Sequence, residues 1–215
     1  MITLWGRASS VNVQKVAWLC EELGLDVDRK DVGGPFGGLD TPEYIAMNPC
    51  QLIPTVQDGE TCIWESEAVL RYLGAKYGTQ FFPQDLEKRA SVDKWMCWMQ
   101  STWIPAVSQV FTTIMKVPVD KRSSAGLEQL LEAAHAKAAF INDQLKDRSF
   151  VAGNSLSLAD FSFAAWLYRY FTLEIDRPVI EHLEKYYESL CARKAYVKHV
   201  HISYESMRAP GAERP

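Results

Sequence analysis

Residues 54–66 read PTVQDGETCIWES, and this stretch carries the strongest fold signal in the 215-residue chain. Two runs of β-competent residues flank Asp58-Gly59, a pair that favours a tight β-hairpin because both residue types tolerate positive φ. Ser66 follows at once with a side chain suited to cap a helix, and apolar residues at helical spacing continue to Gly78. The stretch therefore predicts a hairpin followed by a helix.

Upstream of the hairpin the pattern changes from strand to helix and back. An apolar run at residues 2–5 predicts a strand, apolar residues at helical spacing predict a helix that ends at Gly24, and residues 27–32 predict a second strand. Thr41 as cap and Pro42 at the first helical position then predict a short helix. The N-terminal part is therefore expected to be βαβ, a helix, and a ββ hairpin with its helix.

From Leu86 onward strand signals disappear and helical spacing takes over. One long helix is predicted to be kinked or interrupted at Pro105, because proline lacks the N–H that a helix interior needs. Within residues 153–160, GNSLSLAD, Ser157 and Asp160 have the spacing of a capping box, which indicates a stability device. The predicted boundaries are an α/β domain at 1–78, a linker at 79–86 and an all-helical domain at 87–215.

The bulk composition limits the classes of function. Hydrophobic residues make up 47% and charged residues 23%, which is typical of a folded globular protein. The formal net charge of -4 favours neither nucleic acid nor an anionic membrane as partner. Five dispersed cysteines without a CxxC pair predict no disulfide framework and no metal site. With no predicted membrane span or leader, we expect a soluble cytoplasmic protein.

Four local motifs, taken in order, resemble those of the cytosolic glutathione transferases over residues 1–205. They are SSVN at 9–12, NPCQLIP at 48–54, WESEAVLRYL at 64–73 and GNSLSLAD at 153–160. The resemblance is to serine- or threonine-type bacterial members, similar to the nu and theta classes. It implies a thioredoxin-like α/β N-terminal domain, an all-α C-terminal domain, glutathione as co-substrate, a small hydrophobic electrophile and a homodimer.

The resemblance also implies a glutathione-binding set. In the family, the residue in the place of Ile53 pairs its backbone with the cysteinyl unit of glutathione, and the bond to the next proline, here Pro54, is cis. Glu65 and Ser66 match the acidic and hydroxyl residues that hold the γ-glutamyl ammonium and carboxylate. Gln51 and Leu52 complete the set at two positions that often carry Gly and a basic or small residue. Gln51 can hydrogen-bond the glycyl carboxylate but lacks the charge that Lys or Arg would bring.

Catalysis in this family requires a lowered thiol pKa, because the thiolate is the nucleophile. Counting back from Gly24 places Ser10 where serine-type relatives keep their hydroxyl donor, and Asn12 where nu-like members keep a second polar donor. Ser9, one residue away, is the alternative donor. A purely structural interpretation remains open, in which both serines only cap the following helix.

The electrophile is expected to contact the long helix of the second domain. The candidate pocket residues share helical spacing and an apolar or hydroxyl character, and they are Trp98, Thr102, Trp103 and Phe111. Two other functions remain open beside electrophile conjugation. One is glutathione-dependent reduction of disulfides or peroxides, which Ser10 with Asn12 favours, and the other is a non-catalytic binding or dimerisation module.

Overall fold

The computed structural model describes residues 1–212, which form two compact units. The first comprises Met1–Ala90 with Arg193–Ile202, and the second comprises Ser91–Ala192 with residues 203 onward. The predicted order, an α/β part followed by an all-helical part, is confirmed. One segment differs from the predicted boundaries, because residues 193–202 belong to the first unit although they follow the helical part in sequence.

A four-stranded mixed sheet forms the centre of the first unit. The strand order is β2-β1-β3-β4, and the strands are β1 (Ile2–Trp5), β2 (Val27–Lys30), β3 (Thr55–Asp58) and β4 (Thr61–Trp64). β1 runs parallel to β2 and antiparallel to β3. A parallel pair requires a crossover connection, and α1 (Val11–Glu22) supplies it.

The predicted hairpin forms, with its turn one residue later than expected. Asp58 is the last residue of β3 and pairs with Thr61, so the two turn residues are Gly59 and Glu60. Gly59 has φ of +61°, which glycine adopts without steric cost. Asp58 ends up in the strand because its side chain accepts hydrogen bonds from Tyr72 and Lys76 of the next helix.

Three further α-helices lie entirely within the first unit, beside a short 3-10 helix at Gly34–Phe36. They are α2 (Pro42–Met47), α3 (Ser66–Tyr77) and α9 (Lys194–Val200). The cap predicted for α2 is confirmed, because the Tyr44 N–H donates to the Thr41 hydroxyl at 3.2 Å. α9 covers α1, and the fully buried ring of Trp18 packs edge-on against Tyr196 with 5.0 Å between ring centroids.

Within residues 1–212, the regular elements of the second unit are helices, and an isolated bridge joins Phe150 and Gly153. Its helices are α4, which begins in the first unit (Leu86–Trp98), α5 (Ile104–Lys116), α6 (Ser124–Gln144), α7 (Leu158–Thr172) and α8 (Glu181–Cys191). The predicted interruption near Pro105 is confirmed: a π-helical turn spans Met99–Trp103, just before Pro105, which has no N–H to continue the regular α-helical pattern. Within residues 1–212, no helix is long and apolar enough to span a bilayer.

The capping box at the start of α7 is confirmed and is more extensive than predicted. The Asp160 carboxylate is fully buried and accepts hydrogen bonds from the N–H and hydroxyl of Ser157, at 2.8 and 3.0 Å. Its other oxygen accepts from the Val151 N–H at 2.9 Å and the Tyr186 hydroxyl at 2.8 Å. Burial raises the pKa of Asp160, and the hydrogen bonds from Val151, Ser157 and Tyr186 act in the opposite direction. The carboxylate thus joins α7 and α8 to the loop before them.

Candidate functional site

The turn between β1 and α1 presents the serine predicted to act in catalysis. Ser10 is the N-cap residue of α1 in an extended conformation, and its hydroxyl makes no capping hydrogen bond. The Gln14 side chain holds the turn instead, because its Nε2 donates to the Ala8 carbonyl at 3.1 Å. The Ser10 side chain therefore does not cap α1, and its hydroxyl lies at the positive end of the helix.

The segment before β3 is held by buried side chains rather than by regular backbone pairing. The Leu52 carbonyl accepts hydrogen bonds from the Tyr44 hydroxyl at 2.6 Å and from Asn48 Nδ2 at 2.8 Å. Both donors also contact the Thr55 hydroxyl. Burial raises the pKa of Tyr44, so its hydroxyl keeps its proton. The hydrogen bonds from Tyr44 and Asn48 therefore hold the backbone that leads to Ile53 in place.

Ile53 lies at the end of this fixed segment, and its bond to Pro54 is cis, as predicted. Within residues 1–212, neither the N–H nor the C=O of Ile53 has a hydrogen-bond partner. A half-buried residue with both backbone groups unpaired resembles an open strand edge, to which an extended peptide can add. Gln51, two residues earlier, has φ of +54°, which turns the chain toward this edge.

The N-terminus of α3 differs in one respect from the prediction. Glu65 is the N-cap residue and Ser66 is the first residue of the helix, so Ser66 does not cap α3. Glu65 has φ of +66°, a conformation that costs a non-glycine residue free energy and that is most often found at functional sites. Ser66 is only 5% exposed, with its N–H among the unpaired amides of the first turn.

The β1–α1 turn, the Ile53 segment and the start of α3 border a small cavity within the first unit. The cavity has a volume of about 50 Å³ and is lined by Asn12, Asn48, Cys50, Leu52, Ile53, Pro54, Trp64, Glu65 and Ser66. This volume is far below the roughly 300 Å³ or more of a typical enclosed ligand pocket. It can therefore hold one charged end group, while the rest of a ligand lies along the open surface beside Ile53.

Comparison with known proteins decides the family. The model for the N-terminal domain of glutathione S-transferases matches residues 1–75, and that for the C-terminal domain matches residues 93–194. The Escherichia coli (strain K12) glutathione S-transferase GstB is 31% identical over 94% of this chain and 99% of its own length.

The chain belongs to the glutathione S-transferase family.

Solved structures of this family agree with the assignment. A theta class glutathione S-transferase from the citrus canker pathogen Xanthomonas axonopodis pv. citri, crystallised with glutathione bound, has a TM-score of 0.88 and 36% identity, and the match covers 94% of this chain and 98% of that chain. Glutathione transferase F2 from Populus trichocarpa has a TM-score of 0.83 over 94% of this chain and 98% of its own, and at 19% identity it shows the fold alone.

The cavity of this transferase brings together most, but not all, of the predicted glutathione-binding residues. Asn12, Leu52, Ile53, Pro54, Glu65 and Ser66 line it, while Ser9, Ser10 and Gln51 are not among its lining residues. Ser10 lies at the start of the same helix as Asn12, two residues earlier. The hydroxyl is thus close in sequence to the cavity wall but outside the small enclosed part.

The predicted electrophile residues lie in the second unit and differ in burial. Trp103 and Phe111 are core residues, 0% and 3% exposed, and Trp103 packs edge-on against Phe163. Trp98 and Thr102 are half-buried, and the Trp98 ring lies 5.2 Å from that of Phe140. Of the four, Trp98 and Thr102 therefore have side chains with surface left for a ligand.

Two supporting residues were missed by sequence reasoning. Lys15 Nζ donates to Glu67 Oε1 at 2.9 Å, and the two side chains are only 1% and 5% exposed. The pair joins α1 to α3 behind the cavity wall, one turn below Asn12 and one residue after Ser66. A lysine and a glutamate 52 residues apart carry no local signal of contact, so only the fold reveals the pair.

Proposed function

We propose that this transferase binds glutathione along the surface between the β1–α1 turn and the N-terminus of α3. The supporting observation is the cavity that unites Asn12, Ile53, Glu65 and Ser66. Its size and charge suit the γ-glutamyl end, with the ammonium beside Glu65 and the carboxylate at the unpaired amides and hydroxyl of Ser66. The backbone of the cysteinyl unit then pairs with Ile53 as an added strand would, with the Ile53 N–H donating and the Ile53 C=O accepting a hydrogen bond.

Thiol activation follows from the same placement. A ligand paired with Ile53 carries its sulfur toward the N-terminus of α1, where the partial positive charge of the helix favours an anion. We assign the hydrogen bond to the thiolate to Ser10, with Asn12 as a second polar donor, and keep Ser9 as the alternative. A charge-assisted hydrogen bond stabilises the thiolate relative to the thiol and so lowers the thiol pKa.

The reaction that this site supports best is thiol conjugation to a small apolar electrophile. The thiolate forms a C–S bond at an electrophilic carbon, and either a leaving group departs or the electrons pass to a conjugated acceptor that is then protonated. We place the electrophile beside Trp98 and Thr102, whose side chains keep accessible surface, and not against Trp103 and Phe111, which are packed in the core. We also propose that the protein is a cytoplasmic homodimer and that the reaction needs no metal.

Glutathione-dependent disulfide or peroxide reduction is the second candidate. The observation that favours it is Asn12, which lines the cavity and provides an amide donor close to the proposed sulfur position. In this reaction the thiolate attacks a disulfide sulfur and releases the other sulfur as a thiolate. Both candidates use the same bound glutathione, so binding alone does not distinguish them.

Calorimetric titration with glutathione, followed by turnover assays, tests the proposal. We expect glutathione binding and turnover with an aryl halide, measured as the conjugate formed. Turnover of a mixed disulfide in excess of the aryl halide would favour the second candidate instead. Absence of glutathione binding by the wild-type protein would overturn both and favour a non-catalytic transferase-like module.

A further inference from the structure

The sequence around the proposed cleft is unusually poor in cations. Residues 31–70 contain seven carboxylates and no Lys, Arg or His. Glutathione carries two carboxylates and one ammonium at neutral pH, so its binding requires compensation for a net negative charge. Amides at the N-terminus of α3 suit one carboxylate. The glycyl carboxylate, at the other end of the tripeptide, has no cationic partner in this stretch.

Arg7 lies near the side chain of Ile53 and is not among the residues that line the cavity. It follows β1, and its N–H donates to the Val32 carbonyl at 3.2 Å. A Cβ at Gly33 would lie 3.3 Å from Arg7 Nη1 and 3.4 Å from Ile53 Cδ1, so both side chains border the same small space. The guanidinium is therefore next to the residue that the proposal pairs with the cysteinyl unit.

Gly33 and Gly34 leave space for the Arg7 side chain because neither has a Cβ atom. A Cβ at Gly34 would lie 3.2 Å from Arg7 Cζ, which is closer than most real contacts allow. Gly33 and Gly34 have φ of +79° and +59°, so a side chain at either position would also be strained. The loop is thus shaped to let the guanidinium lie across its backbone beside Ile53.

Arg7 also has its charge available. Within residues 1–212, its guanidinium donates no hydrogen bond and has no carboxylate within ion-pair distance. The neighbouring cations are committed elsewhere, since Lys15 pairs with Glu67 and Arg29 pairs with Asp31. A planar guanidinium is also the side chain best suited to hold a carboxylate through two parallel hydrogen bonds.

We propose that Arg7 binds the glycyl carboxylate of glutathione and so sets the preference for the intact tripeptide. This role rests on the proposed function. A ligand anchored at Ser66 and paired with Ile53 continues past Ile53 toward Gly33 and Arg7, where its second carboxylate meets the guanidinium. Arg7 thereby supplies the charge that Gln51 and Leu52 lack.

The test compares glutathione with its glycyl monoethyl ester, which removes only the glycyl charge, by calorimetric titration of three proteins. The wild type is expected to bind the ester about 10-fold more weakly than glutathione, a difference of about 1.4 kcal/mol. Arg7→Met should bind glutathione about 10-fold more weakly than the wild type and bind the ester unchanged. Lys30→Met removes one exposed charge nearby and should keep the wild-type preference.

Arg7→Lys should recover part of the preference, since it restores the charge without the planar fork. Equal weakening of glutathione and ester in Arg7→Met would overturn the role, because it would indicate a structural effect on the loop. An unchanged affinity for glutathione in Arg7→Met would overturn it as well. Failure of the wild type to bind either compound would overturn the proposed function itself, and with it this role.

Discussion

At the scale of single residues, Ser10 and Gln14 divide between them two tasks that one capping residue often performs. Gln14 holds the turn through the Ala8 carbonyl, and the Ser10 hydroxyl makes no capping bond. Because the turn does not depend on that hydroxyl, its removal is expected to change chemistry more than stability. A substitution of Ser10 therefore tests its role in catalysis without a large change in stability.

Ser10→Ala is predicted to raise the pKa of the bound glutathione thiol by about one unit, the size of one lost charge-assisted hydrogen bond. Turnover with an aryl halide at pH 7 should fall about 10- to 100-fold, with the melting temperature nearly unchanged. Thiolate absorbance of the complex, titrated with pH, measures the shift. If Ser9→Ala produces this shift and Ser10→Ala does not, the donor is Ser9.

Removing one partner of the buried Lys15–Glu67 pair is predicted to destabilise the protein strongly, whereas replacing both partners with apolar residues is predicted to destabilise it little. Glu67→Gln should lower the free energy of unfolding by about 3 to 5 kcal/mol, because it leaves the Lys15 ammonium buried without its counter-charge. The double variant Lys15→Met, Glu67→Leu should regain most of that loss. Urea denaturation measures both, and Lys198→Gln, which removes an exposed partner of Glu21, is a control expected to change stability by less than about 1 kcal/mol.

A loss in Glu67→Gln no larger than that in the Lys198 control would contradict this account of the pair.

At the scale of elements, the start of α7 shows how one side chain can bind several segments. Asp160 accepts four hydrogen bonds from three residues, two of which, Val151 and Tyr186, lie outside the capping box. The local spacing of Ser157 and Asp160 predicts the box itself. The contacts with Val151 and Tyr186 are long-range and depend on how α8 packs, which no local pattern encodes.

Asp160→Ala is predicted to lower the free energy of unfolding by about 3 kcal/mol or more, because it leaves several buried donors unsatisfied. Tyr186→Phe, which removes one of the four hydrogen bonds and leaves the ring in place, should cost about 1 kcal/mol. Chemical denaturation of both variants measures the difference. Glutathione affinity of the folded Asp160→Ala protein should equal that of the wild type, and a marked loss would contradict a purely structural role.

Sequence reasoning succeeded where a signal is local and failed where it is not. The strands, the α2 cap and the interruption near Pro105 follow from residues a few positions apart, whereas the cis bond at Pro54 was expected only from the family resemblance. The hairpin turn was misplaced by one residue because Asp58 is held in β3 by Tyr72 and Lys76. Ser66 was mistaken for a cap because the positive φ of Glu65 has no sequence signature.

At the scale of the whole molecule, the chain returns to its first unit after completing the helices of the second. α9 covers α1. Tyr196 packs on Trp18, and Arg193 Nε and Nη2 donate to the Glu22 carboxylate at 2.8 and 2.6 Å. Residues 194–200 fall within the region predicted to be all-helical, but that prediction does not say which surface the segment covers. The predicted boundary at 87–215 could not anticipate this return.

Tyr196→Ala is predicted to destabilise the first unit by about 3 to 5 kcal/mol, the usual cost of removing a fully buried aromatic ring. Val197→Ala, a truncation at a 41% exposed position on the same helix, should cost less than about 1 kcal/mol. Hydrogen exchange of the α1 amides measures the effect. Protection of α1 in Tyr196→Ala equal to that in the wild type would show that α9 does not stabilise it.

The return of α9 to α1 also affects the order in which the protein can mature during synthesis. Residues 1–90 leave the ribosome first, yet the face of α1 that carries Trp18 stays uncovered until residues 193–202 have been translated. The first unit therefore cannot reach its final packing while the chain is still growing through the second. A nascent chain stalled before residue 193 should expose this aromatic surface, which makes it a natural binding site for chaperones that hold unfinished proteins.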